Sequence, residues 1–172
     1  MVRLANINDL DGVVEVINDA KKLFKSEGSD QWQDTDNYPS RETMRTDLER
    51  NELYVKVIEE KVVGCVVLSK LEEKAYEGIY DGEWLTNGHY MVLHRIAVRN
   101  GYYNKGIAKE LLSEIIKVAK ESNAVSIKVD TKITNVRMMK LLQKVGFKVV
   151  GKIKLLRDGV IDKERTALEL VL

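Results

Sequence analysis

The segment Arg95-Ile96-Ala97-Val98-Arg99-Asn100-Gly101-Tyr102-Tyr103-Asn104-Lys105-Gly106-Ile107-Ala108 carries the strongest chemical signal in this 172-residue chain. An apolar strand runs into a loop, and the loop into a helix whose first turn holds Gly106 and Ala108. The first amides of a helix have no acceptor within it and lie at the positive end of its dipole, so together they favour an anion such as phosphate. Small residues let that anion approach the backbone, and Lys105 adds charge. The spacing is neither G-x-G-x-x-G nor G-x-x-x-x-G-K-[ST], which removes support for nicotinamide-type and Walker-type binding. Read by itself, the segment also fits an ordinary strand-to-helix connection.

Other residues with chemical potential flank it. Alternation along Val92-Leu93-His94-Arg95-Ile96-Ala97-Val98 puts His94, Ile96 and Val98 on one face, with Arg95 and Ala97 on the other. In ordinary surroundings His94 titrates near neutral pH and can act as a base; a histidine hydrogen-bonded in the core is the other reading. Asp130 and Lys132 close the strand Ser126–Thr131, either as site residues or as a strand-end pair. Trp32, Tyr38, Tyr76, Tyr80 and Trp84 lie among Asp34, Asp36, Glu77, Asp81 and Glu83. Rings with carboxylates suit an amine or another cation, whereas the tryptophans alone would equally serve to anchor long loops.

The remaining composition narrows the class. Charged residues make up 32 % and hydrophobic ones 44 %, enough for a core and a solvated surface. No apolar run approaches the roughly 18 residues of a membrane span, and Met1-Val2-Arg3-Leu4-Ala5-Asn6 turns polar too soon for a secretory signal. The lone Cys65, in an apolar run, has no internal disulfide partner and fits a reducing, cytoplasmic setting. Residues 1–86 carry 11 Lys and Arg against 19 Asp and Glu, and residues 87–172 carry 17 against 8. That asymmetry suggests a basic half for an anionic ligand and an acidic half for a cationic one, or simply a mixed solvated surface. The basic run Lys140, Lys144, Lys148, Lys152, Lys154 lacks interleaved aromatics, so nucleic acid is not expected.

These residues need elements to position them. Val2–Ala5 reads as a short strand, and Asn8 as the cap of a helix from about Asp9 to Phe24 with Leu10, Val13, Val14, Ile17, Ala20 and Phe24 at helical spacing on one face. Ser40 caps a second helix to Glu49. Leu53–Ile58 and Val62–Leu71 form a hairpin through Glu59-Glu60-Lys61, followed by a long loop over 72–89. Tyr90–Val98 is a strand, Gly106 to about Glu121 a helix, Ser126–Thr131 a strand, and Asn135–Val145 a helix stopped by Gly146. Phe147–Lys154 and Thr166–Val171 complete an α/β (α+β) domain over 1–172, a mixed sheet of about seven strands with about four helices on its faces.

The chain resembles the GNAT superfamily of acyl-CoA N-acyltransferases. Tyr103-x-x-Gly106-x-Ala108 follows the family's [Q/R]-x-x-G-x-[G/A] pattern, with Tyr103 replacing Gln or Arg. Asn135, Gly146 and Phe147 match N-x-x-A-x-x-x-Y-x-x-x-G-F, with Met138 at the Ala and Leu142 at the Tyr. The resemblance implies a GNAT fold whose splayed strands Tyr90–Val98 and Ser126–Thr131 receive acetyl-CoA. Backbone groups of Ile96, Ala97 and Val98 would pair with the pantetheine. Amides of Asn104, Lys105, Gly106, Ile107 and Ala108 would hold the pyrophosphate, with Tyr103 beside them and Asn135 bordering the pantetheine arm. The implied activity is acetyl transfer to a primary amine by direct attack in a ternary complex. His94 is the expected base, with Asp130 the carboxylate alternative. A small-molecule amine is favoured, held by Trp32, Tyr38, Tyr80, Glu83 and Trp84; a peptide amine, as in protein N-terminal acetylation, is the alternative. A family Tyr often supplies the acid for the leaving thiolate, and Leu142 cannot. That substitution keeps open a non-catalytic acyl-CoA-binding or interaction module. The expected setting is cytoplasmic, as a monomer or homodimer, without metal, membrane or nucleic acid.

Overall fold

The computed structural model describes residues 1–160 and 162–172. Apolar runs set its strands: β1 (Val2–Leu4), β2 (Leu53–Ile58), β3 (Lys61–Ser69), β4 (Tyr90–Val98), β5 (Ser126–Thr131), β6 (Lys148–Lys154) and β7 (Glu164–Val171). Four helices accompany them: α1 (Leu10–Ser26), α2 (Arg41–Glu49), α3 (Ile107–Glu121) and α4 (Val136–Lys144). The strands form one mixed sheet in the order β1-β2-β3-β4-β5-β7-β6. The parallel ladder of β4 with β5 covers Tyr90–Val92 against Ser126–Lys128, whereas β4 continues to Val98.

The chain divides into two compact units, residues 1–69 with 93–115, and residues 70–92 with 116–172. In the first, Leu10, Val13 and Ile17 of α1 and Met44 of α2 pack on Val55, Cys65, Val67 and Ala97 of the strands. Each of the leucine, valine, isoleucine and methionine side chains among these contributes on the order of 1.5–3 kcal/mol. The start of α3 lies close on β3 because residue 64 is glycine: a Cβ there would sit 2.8 Å from Ile107 Cγ2 and 3.2 Å from the Ala97 carbonyl oxygen. In the second unit, Ala75, Tyr76, Tyr90, Val92, Ile153 and Ala167 form the core. β7 pairs with both β5 and β6, so the chain's end is held between two strands.

Several boundaries differ from the sequence expectation. Asn8 does not cap α1. Asn6 caps a short 3-10 turn over Ile7–Asp9 instead, accepting from the Asn8 amide at 2.9 Å, while Asp9 accepts from the Asn6 amide at 2.8 Å. Asp9 is in turn held by Arg3, which pulls its pKa down. The loop over 72–89 contains a 3-10 turn at Lys74–Gly78 and lies along β6, through Tyr80 paired with Lys152 and the Glu83 amide on the Val150 carbonyl.

Candidate active site

The strand-loop-helix segment lies wholly in the first unit. Beyond Val92, β4 has left its ladder with β5. Arg95 adopts φ +50°, a left-handed conformation in a non-glycine strand residue. Its side chain is fully engaged: Nε and Nη2 donate to the two oxygens of Asp47 at 2.8 and 2.7 Å, and Nη1 donates to the Tyr38 hydroxyl at 2.8 Å. Ala97 is packed in the core, while Ile96 and Val98 are half-buried. Arg95, Ala97 and Arg99 all meet the α1–α2 side: Arg99 bonds the Val62 carbonyl and pairs with Glu15 of α1. The alternation expected along β4 therefore holds on that side, and the left-handed turn at Arg95 is the feature it did not foresee.

After β4 the loop turns on left-handed Gly101, Asn104 and Gly106, with φ of +87°, +60° and +80°. The Asn100 amide ties it to Asp19 of α1 at 3.0 Å, and Lys105 Nζ lies 5.1 Å from the Tyr102 ring centre. At the start of α3 the Glu110 N–H donates to the Gly106 carbonyl at 3.0 Å. The amides before it have no acceptor inside the helix, and Asn104, Lys105 and Gly106 beside them are exposed. A Cβ on Gly106 would meet no atom within 4 Å, so open space lies above this backbone. Ile107 instead is buried and anchors the helix, so of this group its backbone alone is available to a ligand.

His94 is half-buried on β4. Desolvation, and secondarily the adjacent Arg95 charge, push its pKa down to about 3. The near-neutral titration expected from sequence is thus corrected: the ring is neutral across the physiological range and weakly basic, because its cationic form is poorly solvated and sits beside a fixed guanidinium.

In the second unit Asp130 is placed by a different device. Tyr76, 2 % exposed, donates its hydroxyl to Asp130 Oδ2 at 2.7 Å. Trp84 Nε1 donates to the Tyr76 carbonyl at 2.8 Å, and the two rings lie 5.0 Å apart. Desolvation raises the Asp130 pKa, opposed by the Tyr76 hydrogen bond. Lys128, on the same face of β5, places its ammonium 4.4 Å from the Trp84 ring centre and 3.8 Å from that of Tyr90. Beside it in the β5–β7 ladder the fully buried Glu169 accepts from the Leu85 amide and the Thr86 hydroxyl.

The five residues expected to hold substrate are divided between the two units. Trp32 and Tyr38 belong to the first unit; Tyr80, Glu83 and Trp84 belong to the second. Trp32 packs edge-on to Phe24 at 5.4 Å and against the core. Tyr80 donates to Glu164 at 2.7 Å, which pushes its pKa up to about 12, and Glu83 is exposed. Asn135 caps α4, its Oδ1 accepting from the Met138 amide at 3.2 Å. Leu142 has no exposed surface and belongs to the packing under α4, so it does not line an open position left by a missing tyrosine. Two contributors escaped the sequence reading, Asp47 and Lys128. Asp47 lies three residues after the inward Met44, and that spacing, which sets a carboxylate on the buried face of α2, is the signal that would have found it. Among the described residues no group of three or more His, Cys, Asp or Glu is placed to hold a metal, and no helix is long and apolar enough to cross a membrane.

With this geometry in view, the sequence pattern of the Acetyltransferase (GNAT) family matches residues 17–147, and the chain belongs to that family. A GNAT-family acetyltransferase of Streptococcus agalactiae is 31 % identical in sequence, superposes with a TM-score of 0.89, and covers 100 % of this chain and 95 % of its own. A structure described as a putative acetyltransferase of Staphylococcus aureus is 27 % identical with a TM-score of 0.74, over 99 % and 98 % of the two chains. The Bacillus subtilis protein described as the uncharacterized N-acetyltransferase YvbK is 27 % identical over 111 residues, 64 % of this chain and 62 % of that relative's length.

Proposed function

We propose that the protein transfers an acetyl group from acetyl-CoA to a primary amine by direct attack in a ternary complex. One observation carries this reading: β4 runs on past its ladder with β5 and leads, through three left-handed residues, to open backbone at the start of α3. Unpaired strand groups suit the amides of a pantetheine arm, and the helix start suits a pyrophosphate. Ile96, Ala97 and Val98 would contribute backbone to the first. Asn104, Lys105, Gly106, Ile107 and Ala108 would contribute to the second, with Tyr103 beside them. A thioester bound there brings an activated acyl group; the protein's part is to orient it, stabilise the oxyanion with backbone amides, and remove the amine's proton.

For that proton the two candidates differ. His94, with a pKa near 3, is a poor partner for an ammonium, whereas Asp130 is a carboxylate oriented by Tyr76 and raised by desolvation. Asp130 is therefore the proposed acceptor, directly or through water, and His94 a neutral polar residue beside the acyl group. Tyr76 and Trp84 beside Asp130, with exposed Glu83 on the same loop, support a small amine as acceptor, with Lys128 already facing the Trp84 ring. The family pattern spans both compact units, which supports treating residues 1–172 as one acyltransferase domain. The test is release of CoA thiol from acetyl-CoA over a panel of amines and amino-terminal peptides. Amine-dependent release supports the reading; CoA binding without release with any of them would leave a binding module.

A further inference from the structure

We propose that Asp47 and Tyr38 are positioning residues that hold β4 turned at Arg95 and so set the direction of the amides that follow it. The inference rests on the acetyl-transfer reading for its consequence in catalysis, but not for its structural content. A left-handed residue other than glycine inside a strand is strained and persists only where its surroundings over-determine it. Arg95, at φ +50°, is such a residue. Every nitrogen of its guanidinium head is engaged, two by Asp47 and one by the Tyr38 hydroxyl, at 2.7–2.8 Å. Its carbonyl receives the Cys65 thiol at 3.8 Å. Asp47 is 2 % exposed, so this carboxylate has exchanged water for the guanidinium, and removing either partner would strand a buried charge.

The backbone on either side is fixed as well. Leu93 and Ala97 are both buried, so β4 enters and leaves the turn at set positions. Within that frame the Arg95 side chain decides whether the peptide between Arg95 and Ile96 keeps its orientation. Tyr38, expected from sequence to touch substrate, thereby gains a second role, coupling the loop before α2 to the strand that would present amides to the thioester. A bidentate guanidinium–carboxylate pair fixes direction as well as distance, which a single lysine contact would not.

The experiment compares Asp47→Asn, Tyr38→Phe, Arg95→Gly and the double variant Asp47→Asn with Arg95→Gly. Glycine adopts φ +50° without needing a clamp. The expected result is faster amide hydrogen exchange at Ala97, whose amide is directed at the Cys65 sulfur, in Asp47→Asn, with kcat down about tenfold or more and the KM for amine little changed. In the double variant, exchange protection and kcat return toward the wild type. Tyr38→Phe, which removes one of three bonds and no buried charge, gives a smaller change of the same sign, and it carries the test if Asp47→Asn does not fold. Unaltered exchange at Ala97 in folded Asp47→Asn or Tyr38→Phe would overturn the proposal, as would a double variant no better than Asp47→Asn. Exchange is read without any substrate, so failure of acetyl transfer in the wild type would count against the proposed function and leave this measurement intact.

Discussion

The Tyr76 hydroxyl donates to Asp130 Oδ2 at 2.7 Å, a bond between a short loop turn and the central strand β5, more than 50 residues apart in sequence. Because it stabilises the carboxylate, its loss raises the Asp130 pKa. Tyr76→Phe, which keeps the ring against Trp84 and Tyr90, should move the acid limb of kcat/KM to higher pH. Asp130→Asn should remove that limb and cost about 10²-fold or more in kcat/KM. A pH–rate profile of the two variants checks both. An unchanged acid limb in Asp130→Asn would place the base elsewhere.

Gly106→Glu should weaken CoA binding by about 10²-fold or more, roughly 2.7 kcal/mol. The residue sits at φ +80° with open space above it, so a side chain there is strained and sets a carboxylate where phosphate would lie. Calorimetry with CoA on the folded variant is the measurement, and unchanged affinity would remove the phosphate assignment.

His94 makes stability depend on pH in a defined direction. Its pKa is about 3 in the folded protein and near 6.5 when unfolded. Between those values the unfolded chain binds a proton that the native one does not, so stability is complete above about pH 6.5 and declines as pH falls toward 3, by up to about 1.4 kcal/mol per unit. Urea unfolding at pH 7 and pH 4.5 should show a larger loss for the wild type than for His94→Gln. Catalysis near neutral pH should keep the same acid limb in His94→Gln, since the wild-type ring is already neutral there.

Leu142→Tyr should destabilise the fold by about 1–3 kcal/mol without adding turnover, because a residue with no exposed surface has no room for a larger ring. Chemical denaturation alongside the amine assay separates that outcome from the gain expected if the position were an empty acid site.

Lys128→Met keeps the length of the stem and removes the charge that Trp84 and Tyr90 face at 4.4 and 3.8 Å. We expect a loss of about 1–2 kcal/mol, the range for a desolvated cation over aromatic rings, read as a lower denaturation midpoint.

The sequence alone determined the order of elements, their apolar faces and the strand-loop-helix segment for which anion binding is proposed. Those follow from local rules: alternation defines β4, periodicity defines α3, and Gly106 marks the start of that helix. Asn135 was legible as a motif residue, but its role at the start of α4 emerged from the backbone it caps. Tertiary structure decided the rest. Whether His94 titrates near 6.5 or near 3 depends on what surrounds it, and Arg95 is as much a surrounding as a neighbour. Trp32, Tyr38, Tyr80, Glu83 and Trp84 look alike as aromatic and acidic loop residues, yet they belong to two compact units, and several are spent on anchoring bonds. The turn at Arg95 could not be read from β4 because a left-handed arginine has no local cause. It exists through Asp47 and Tyr38, 48 and 57 residues away in the chain, and desolvation, ion pairing and backbone strain act through such distant neighbours, beyond the reach of sequence spacing.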